Sequence, residues 1–145
     1  MSQLPIVALA VGVTGHRLNA IDPSARAGVE GAIVEAIALI DAAVTDLHSR
    51  LAQSDVFSAD PPRLTLLSPL ADGADQYAAR AALDKGWRLQ AVLPFERAVY
   101  QQDFVGEDPT EFLAVEMPEP RDTELLIGTQ RGLKFWGKWR RGQGR

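Results

Sequence analysis

The chain contains no cysteine. That excludes disulfide staples, a thiolate nucleophile, cysteine-ligated zinc and iron–sulfur clusters. Histidine is almost as scarce. His16 and His48 stand far apart, with no His-x-x-x-His or His-x-Glu spacing, so no metal centre is expected. The apolar run from Pro5 to Val13 is far shorter than the ~20 residues that cross a bilayer. The residues before it, Ser2 and Gln3, lack the basic stretch of a secretory signal. No membrane partner is expected, and the chain reads as cytoplasmic. Neither the Walker A lysine pattern nor Gly-x-Gly-x-x-Gly occurs, and no cofactor is implied.

What is present fits one globular domain. The chain has 145 residues, 46% hydrophobic and 23% charged. A fold of this size buries roughly two-thirds of the surface its unfolded chain exposes, which is enough to hold without staples. The formal net charge is −4, but it is unevenly spread: −9 over residues 1–120 and +5 over residues 121–145. An acidic body followed by a basic end is an unusual split.

Hydrophobic patterning predicts an alternating α/β chain. Leu4 to Val13 is a near-continuous apolar, β-branched run, the pattern of a parallel strand covered on both faces. Asp22-Pro23 reads as a helix start, Asp as N-cap and Pro in the first helical position. Val29, Ile33, Ile37, Ile40, Val44, Leu47 and Leu51 then recur three or four apart, one stripe of a long helix ending near Ser54. His48 lies on this helix and reads as solvated. Leu64 to Leu67 predicts a second strand, stopped by Ser68-Pro69. Asp72 reads as the cap of a second helix whose apolar face carries Ala74, Tyr77, Ala78, Ala81 and Ala82, with Gly86 as its left-handed end. Leu89 to Leu93 predicts a third strand, and Glu96 to Phe104 a short helix. Beyond Gly106 come an acidic, proline-rich stretch, a strand-like Thr123 to Ile127, and a glycine-rich basic end. The expected architecture is a Rossmann-like three-layer α/β/α fold with a short parallel sheet of three to four strands. Residues 1–106 form the domain and 107–145 a divergent basic tail.

In open α/β sheets the ligand lies beyond the carboxyl ends of the strands. Three such ends gather the special residues of this chain. After the first strand come Gly12, Thr14, Gly15, His16 and Arg17; after the second Ser68, Asp72, Gly73 and Asp75; after the third Arg97. The spacing Gly12-x-x-Gly15 allows a tight turn and a close approach of backbone to ligand, or serves the turn alone. Arg17 suits a bidentate contact to phosphate. His16 suits a ligand contact, proton transfer or a loop-fixing hydrogen bond. Asp72 and Asp75 serve either as cap and first-turn acid, or as acceptors for ribose hydroxyls or a hydrated metal ion. Ser68 lacks a Gly-x-Ser-x-Gly setting, which discounts it as a nucleophile.

Two of these segments carry a resemblance. Val11-Gly-Val-Thr-Gly-His-Arg17 resembles the first-strand signature of the SLOG superfamily, which joins DprA (Smf) proteins to LOG-type phosphoribohydrolases. Leu67-Ser-Pro-Leu-Ala-Asp-Gly-Ala-Asp75, followed by Ala78 to Leu83, is similar to its second signature. Ala91-Val-Leu-Pro-Phe95 and Tyr100-x-x-Asp103-Phe104 extend the likeness, which covers residues 5 to about 105. The resemblance implies a Rossmann-like fold that binds a nucleotide or nucleotide-derived ligand. It implies a pocket of Gly12, Gly15, His16, Arg17, Ser68, Gly73 and Asp75. The later Pro-Gly-Gly-x-Gly-Thr-x-x-Glu segment of the LOG enzymes is not matched: Ile127-Gly128-Thr129 has one glycine and no acid after it. A sensing module is therefore expected ahead of a phosphoribohydrolase-like enzyme. Asp72 also stands where DprA often has arginine, and the acidic body opposes a DNA backbone.

The fading pattern suggests truncation or frameshift relative to a longer ancestor, or a lineage-specific tail. Lys134, Trp136, Lys138, Trp139, Arg140 and Arg141 interleave cations with aromatics, which suits single-stranded nucleic acid. A disordered end or one docked on the acidic body fits the same residues. Open sheet edges and an apolar helix face make a homodimer the expected assembly.

Overall fold

The structure is a computed structural model that describes residues 4–94, 97–100, 123–129 and 132–138. Among the described residues five strands and three α-helices follow in chain order, with a short 3-10 turn at Leu18–Ala20. They are β1 (Ala8–Gly12), α1 (Arg26–Leu51), β2 (Arg63–Ser68), α2 (Ala74–Asp84), β3 (Arg88–Leu93), α3 (Arg97–Tyr100), β4 (Thr123–Thr129) and β5 (Gly132–Lys138). They form one sheet ordered β1-β2-β3-β4-β5. β1 to β4 pair in parallel, and β5 returns antiparallel to β4. The α/β alternation and the parallel pairing of the first three strands match the pattern of the sequence.

The core lies on one face of this sheet. Leu64 and Leu66 of β2, with Leu89 and Ala91 of β3, meet Ile37 and Val44 of α1 and Ala78, Ala79, Ala81 and Ala82 of α2 in one buried cluster. The alternation is clean: in β2 and β3 every second residue is buried and its neighbours are not. Each fully buried leucine contributes roughly 1.5–3 kcal/mol through removal from water. The run of small alanines lets α2 lie close on the strands. Because α1 and α2 share that cluster and pack on each other, they cover the same face. Among the described residues no helix covers the other face, where Thr65, Leu67, Gln90 and Val92 are half-buried. The third layer of an α/β/α sandwich does not appear among the described residues.

β1 corrects an expectation. It is not enclosed on both faces but forms the sheet edge, and Ala8, Leu9, Ala10 and Gly12 are exposed. Only its flanks and one residue within it, Val7, Val11 and Val13, reach the core. An edge strand has a neighbour on one side only, so an apolar run does not guarantee burial.

α1 begins later than Asp22-Pro23 suggests. The Asp22 carboxylate accepts the Ser24 amide at 2.8 Å, and Ala25 N–H bonds the Asp22 carbonyl, so residues 22–25 form a turn before the helix. The Ser24 hydroxyl and amide hold the Asp22 carboxyl below its ordinary value. The long apolar stripe does face the core, with Ile37 and Val44 buried and Ile33, Ile40 and Leu51 packed against it. Leu39 is 64% exposed on the far side. His48 is half-buried and its Nε2 is shielded without a hydrogen-bond partner, against the expectation of a solvated side chain.

α2 ends as Gly86 suggested. Gly86, at φ +76°, donates to the Leu83 carbonyl and Trp87 N–H to the Ala82 carbonyl, which ties the last turn before β3 begins. The strand expected at Thr123 to Ile127 is β4, and the glycine-rich basic segment supplies β5. Both belong to residues 107–145 and extend the same sheet. Residues 101–122 lie outside the described residues, as do Trp139, Arg140 and Arg141. No described helix is long and apolar enough to cross a membrane.

Candidate functional site

The carboxyl ends of β1 and β2 lie side by side, since Gly12 pairs with Leu67 and Val13 N–H bonds the Leu67 carbonyl at 3.0 Å. Two loops leave these ends: Val13 to Arg17, and Pro69 to Gly73. Glycine lets them touch. A Cβ added to Gly15 would lie 2.5 Å from the Cβ of Ala74. Gly73 has φ +93° and ψ −128°, a region that side chains disfavour, and its added Cβ would lie 2.7 Å from the His16 carbonyl oxygen. The Ala74 amide donates to that same carbonyl at 3.2 Å. The first loop therefore caps the start of α2 through backbone.

Asp72 is not the side-chain cap that its position suggests. The N-cap of α2 is Gly73, and no side chain bonds there. The Asp72 carboxylate reaches across to the first loop instead. Its Oδ1 accepts Arg17 Nε at 2.9 Å, and its Oδ2 accepts the Leu18 amide at 3.1 Å. The Arg17 side chain is 43% exposed and that of Asp72 16%. Thr14, Gly15 and His16 are exposed beside them. Gly12 is exposed too, and a Cβ there would meet nothing within 4 Å.

Ser68 and Asp75 sit deeper. Ser68 is 1% exposed. Its hydroxyl accepts the Leu70 amide at 3.0 Å and donates to the Asp75 carbonyl at 3.4 Å. Leu70 is itself buried at φ +58°, a costly conformation for a bulky residue. The buried Gln76 donates to the Leu70 carbonyl at 3.5 Å. Ser68 and Gln76 thus hold the loop in its bent shape from below, and nothing in the spacing of the sequence signals Gln76 or the strain at Leu70.

Asp75 is 3% exposed, and its Oδ1 has no hydrogen-bond partner. A first-turn acid usually lies in water; this one is turned into the protein. Burial pushes its carboxyl above the ordinary 3.8, opposed by a hydrogen bond from the Ala71 amide and reinforced by the charge of Asp72. An acid whose pKa rises on folding takes up a proton as the chain folds. Its contribution to stability is complete below the unfolded pKa and is lost as pH rises through the folded one. The variant Asp75→Asn cannot ionise. Its melting temperature should gain on that of the native chain as pH rises from about 4 to about 7. Parallel melting curves over that range would show that the buried carboxyl does not titrate on unfolding.

The expected residues therefore divide. Gly15, His16, Arg17, Asp72 and Gly73 come together at the β1 and β2 ends, with Thr14 and Gly12 open beside them and Asp75 buried below. Ser68 lies beneath. Arg97 begins α3, after the third strand, and its contacts lie outside what the structure describes. No protein-family model, curated protein or solved structure matches this chain.

Proposed function

We propose that this chain is a Rossmann-like module of the SLOG type. It binds a nucleotide or nucleotide-derived ligand at the carboxyl edge of its parallel sheet, and it senses that ligand rather than transforming it. The observation that carries the reading is the loop Thr14 to Arg17. It is exposed, held in shape by the glycine contacts with α2, and offers a guanidinium and the next backbone amide, both already closed on a carboxylate. Those are donors of the kind that hold phosphate oxygens. The open space over Gly12 leaves room for a ligand against the strand end. A sensing role accords with the unmatched Gly-Gly-Thr and glutamate segment. The buried Ser68 hydroxyl, already committed to the loop backbone, offers no nucleophile.

A thermal-shift panel of nucleosides, nucleoside mono-, di- and triphosphates and cyclic nucleotides tests this. At least one nucleotide should raise the melting temperature by several degrees, and Arg17→Ala should abolish that rise while leaving a folded protein. A flat response across the panel would overturn the reading.

A further inference from the structure

We infer that Arg17 and the Leu18 amide form an oxyanion subsite for the phosphate of the ligand, and that Asp72 occupies it in the unliganded protein as an internal competitor. This rests on the nucleotide reading above. The two oxygens of Asp72 take one donor each, Arg17 Nε at 2.9 Å and Leu18 N at 3.1 Å. Two oxygens of a phosphate, spaced much like those of a carboxylate, meet the same pair of donors. The subsite is thus occupied by the chain's own anion.

Asp72 ties the first loop to the second, but not alone. It does not cap α2, whose first amide is satisfied by the His16 carbonyl, and the glycine contacts join the two loops through backbone. Water reaches the pair from the Arg17 side, whose side chain is 43% exposed against 16% for Asp72. Solvent on the guanidinium side screens the pair and weakens it. Phosphate carries more charge than a carboxylate and gains more from the guanidinium. Binding is then an exchange: the phosphate takes the two donors and Asp72 swings out to solvent. Pushing Asp72 outward also offers a signal of occupancy on the surface of the molecule.

The test uses the full chain with inorganic phosphate, inorganic sulfate and adenosine 5′-monophosphate as probes, read by titration of the backbone amide resonances. Asp72→Asn keeps an acceptor for the loop and removes the competing charge. It should bind phosphate at least tenfold tighter than the native chain, and Arg17→Ala in the same background should erase the gain. In the native chain phosphate should move the Leu18 resonance before others, which supplies a reading if the variant folds poorly. Unchanged or weaker phosphate binding in Asp72→Asn, or a gain that survives Arg17→Ala, would sink the exchange. Nucleotide binding that needs Arg17 but ignores Asp72 would remove the competitor and leave the nucleotide reading intact. Phosphate binding enhanced by Asp72→Asn with no preference for adenosine monophosphate would do the reverse.

Discussion

Replacing Gly73 by alanine should lower the melting temperature on the order of 10 °C or more, although it adds one methyl group. Two costs combine. The backbone there has φ +93° and ψ −128°, outside the regions that a side chain tolerates, which costs about 1–3 kcal/mol. The new Cβ would also lie 2.7 Å from the His16 oxygen, 2.8 Å from the Leu18 nitrogen and 3.0 Å from the Arg17 carbonyl carbon. All three atoms are backbone and cannot rotate aside, so the first loop must lift off α2. Lifting it gives up the Ala74 to His16 bond and the Leu18 to Asp72 bond, each worth about 1 kcal/mol. The total is about 3–5 kcal/mol, at the upper end of single substitutions. Gly86→Ala is the control. It meets the left-handed penalty at φ +76° but has nothing within 4 Å of its added Cβ, so about 1–2 kcal/mol is expected. Equal losses in the two variants would show that the loop contact contributes nothing. Gly73→Ala should also lose any nucleotide response even at temperatures where it is folded, because Arg17 and Leu18 move with the loop.

How much of this was readable beforehand depends on how local the cause is. The β2 and β3 strands and α2 follow from patterns complete within a few residues: alternating leucines, a run of alanines, a glycine at the helix end. Each was recognisable. The Asp72 contact was not, because its partner is 55 positions away in the chain and a local rule, the helix cap, offered a sufficient explanation. The burial of Asp75 was not readable either, since a first-turn acid suits the helix dipole whether or not water reaches it. The exposure of β1 depends on which strand lies at the sheet edge, and no apolar run encodes its own position in the order. β5 was missed because its glycines and basic residues resemble a solvated end, and its pairing with β4 is what makes it a strand. The candidate residues at the ends of β1 and β2 did converge, because parallel pairing alone brings consecutive strand ends to one edge. Their hydrogen bonds to one another were the unreadable part.

Trp87→Ala should be the most damaging change in the body of the fold, for reasons that separate into parts. Trp87 lies between α2 and β3, is 3% exposed, and belongs to the main core cluster with residues of α1 and the sheet. Its indole Nε1 donates to the Asp41 carboxylate of α1 at 2.7 Å. One side chain therefore fastens the long first helix to the start of a central strand. Truncation removes the ring and leaves a cavity, which costs about 3–5 kcal/mol. Against a total stability of about 5–15 kcal/mol, that shifts the urea midpoint severely while leaving its slope unchanged. Trp87→Phe keeps most of the apolar volume and loses the indole donor. Asp41 is only half-buried, so water replaces part of that bond, and a cost of about 1–2 kcal/mol is expected. A double-mutant cycle of Trp87→Phe with Asp41→Ala, which removes the acceptor, isolates the bond: its coupling energy should be about 1 kcal/mol, and a value near zero would leave packing as the whole contribution. Trp87 is at the opposite end of α2 from Gly73. Trp87→Phe should therefore keep the nucleotide response that Gly73→Ala loses, and that contrast separates damage to the core from damage to the site.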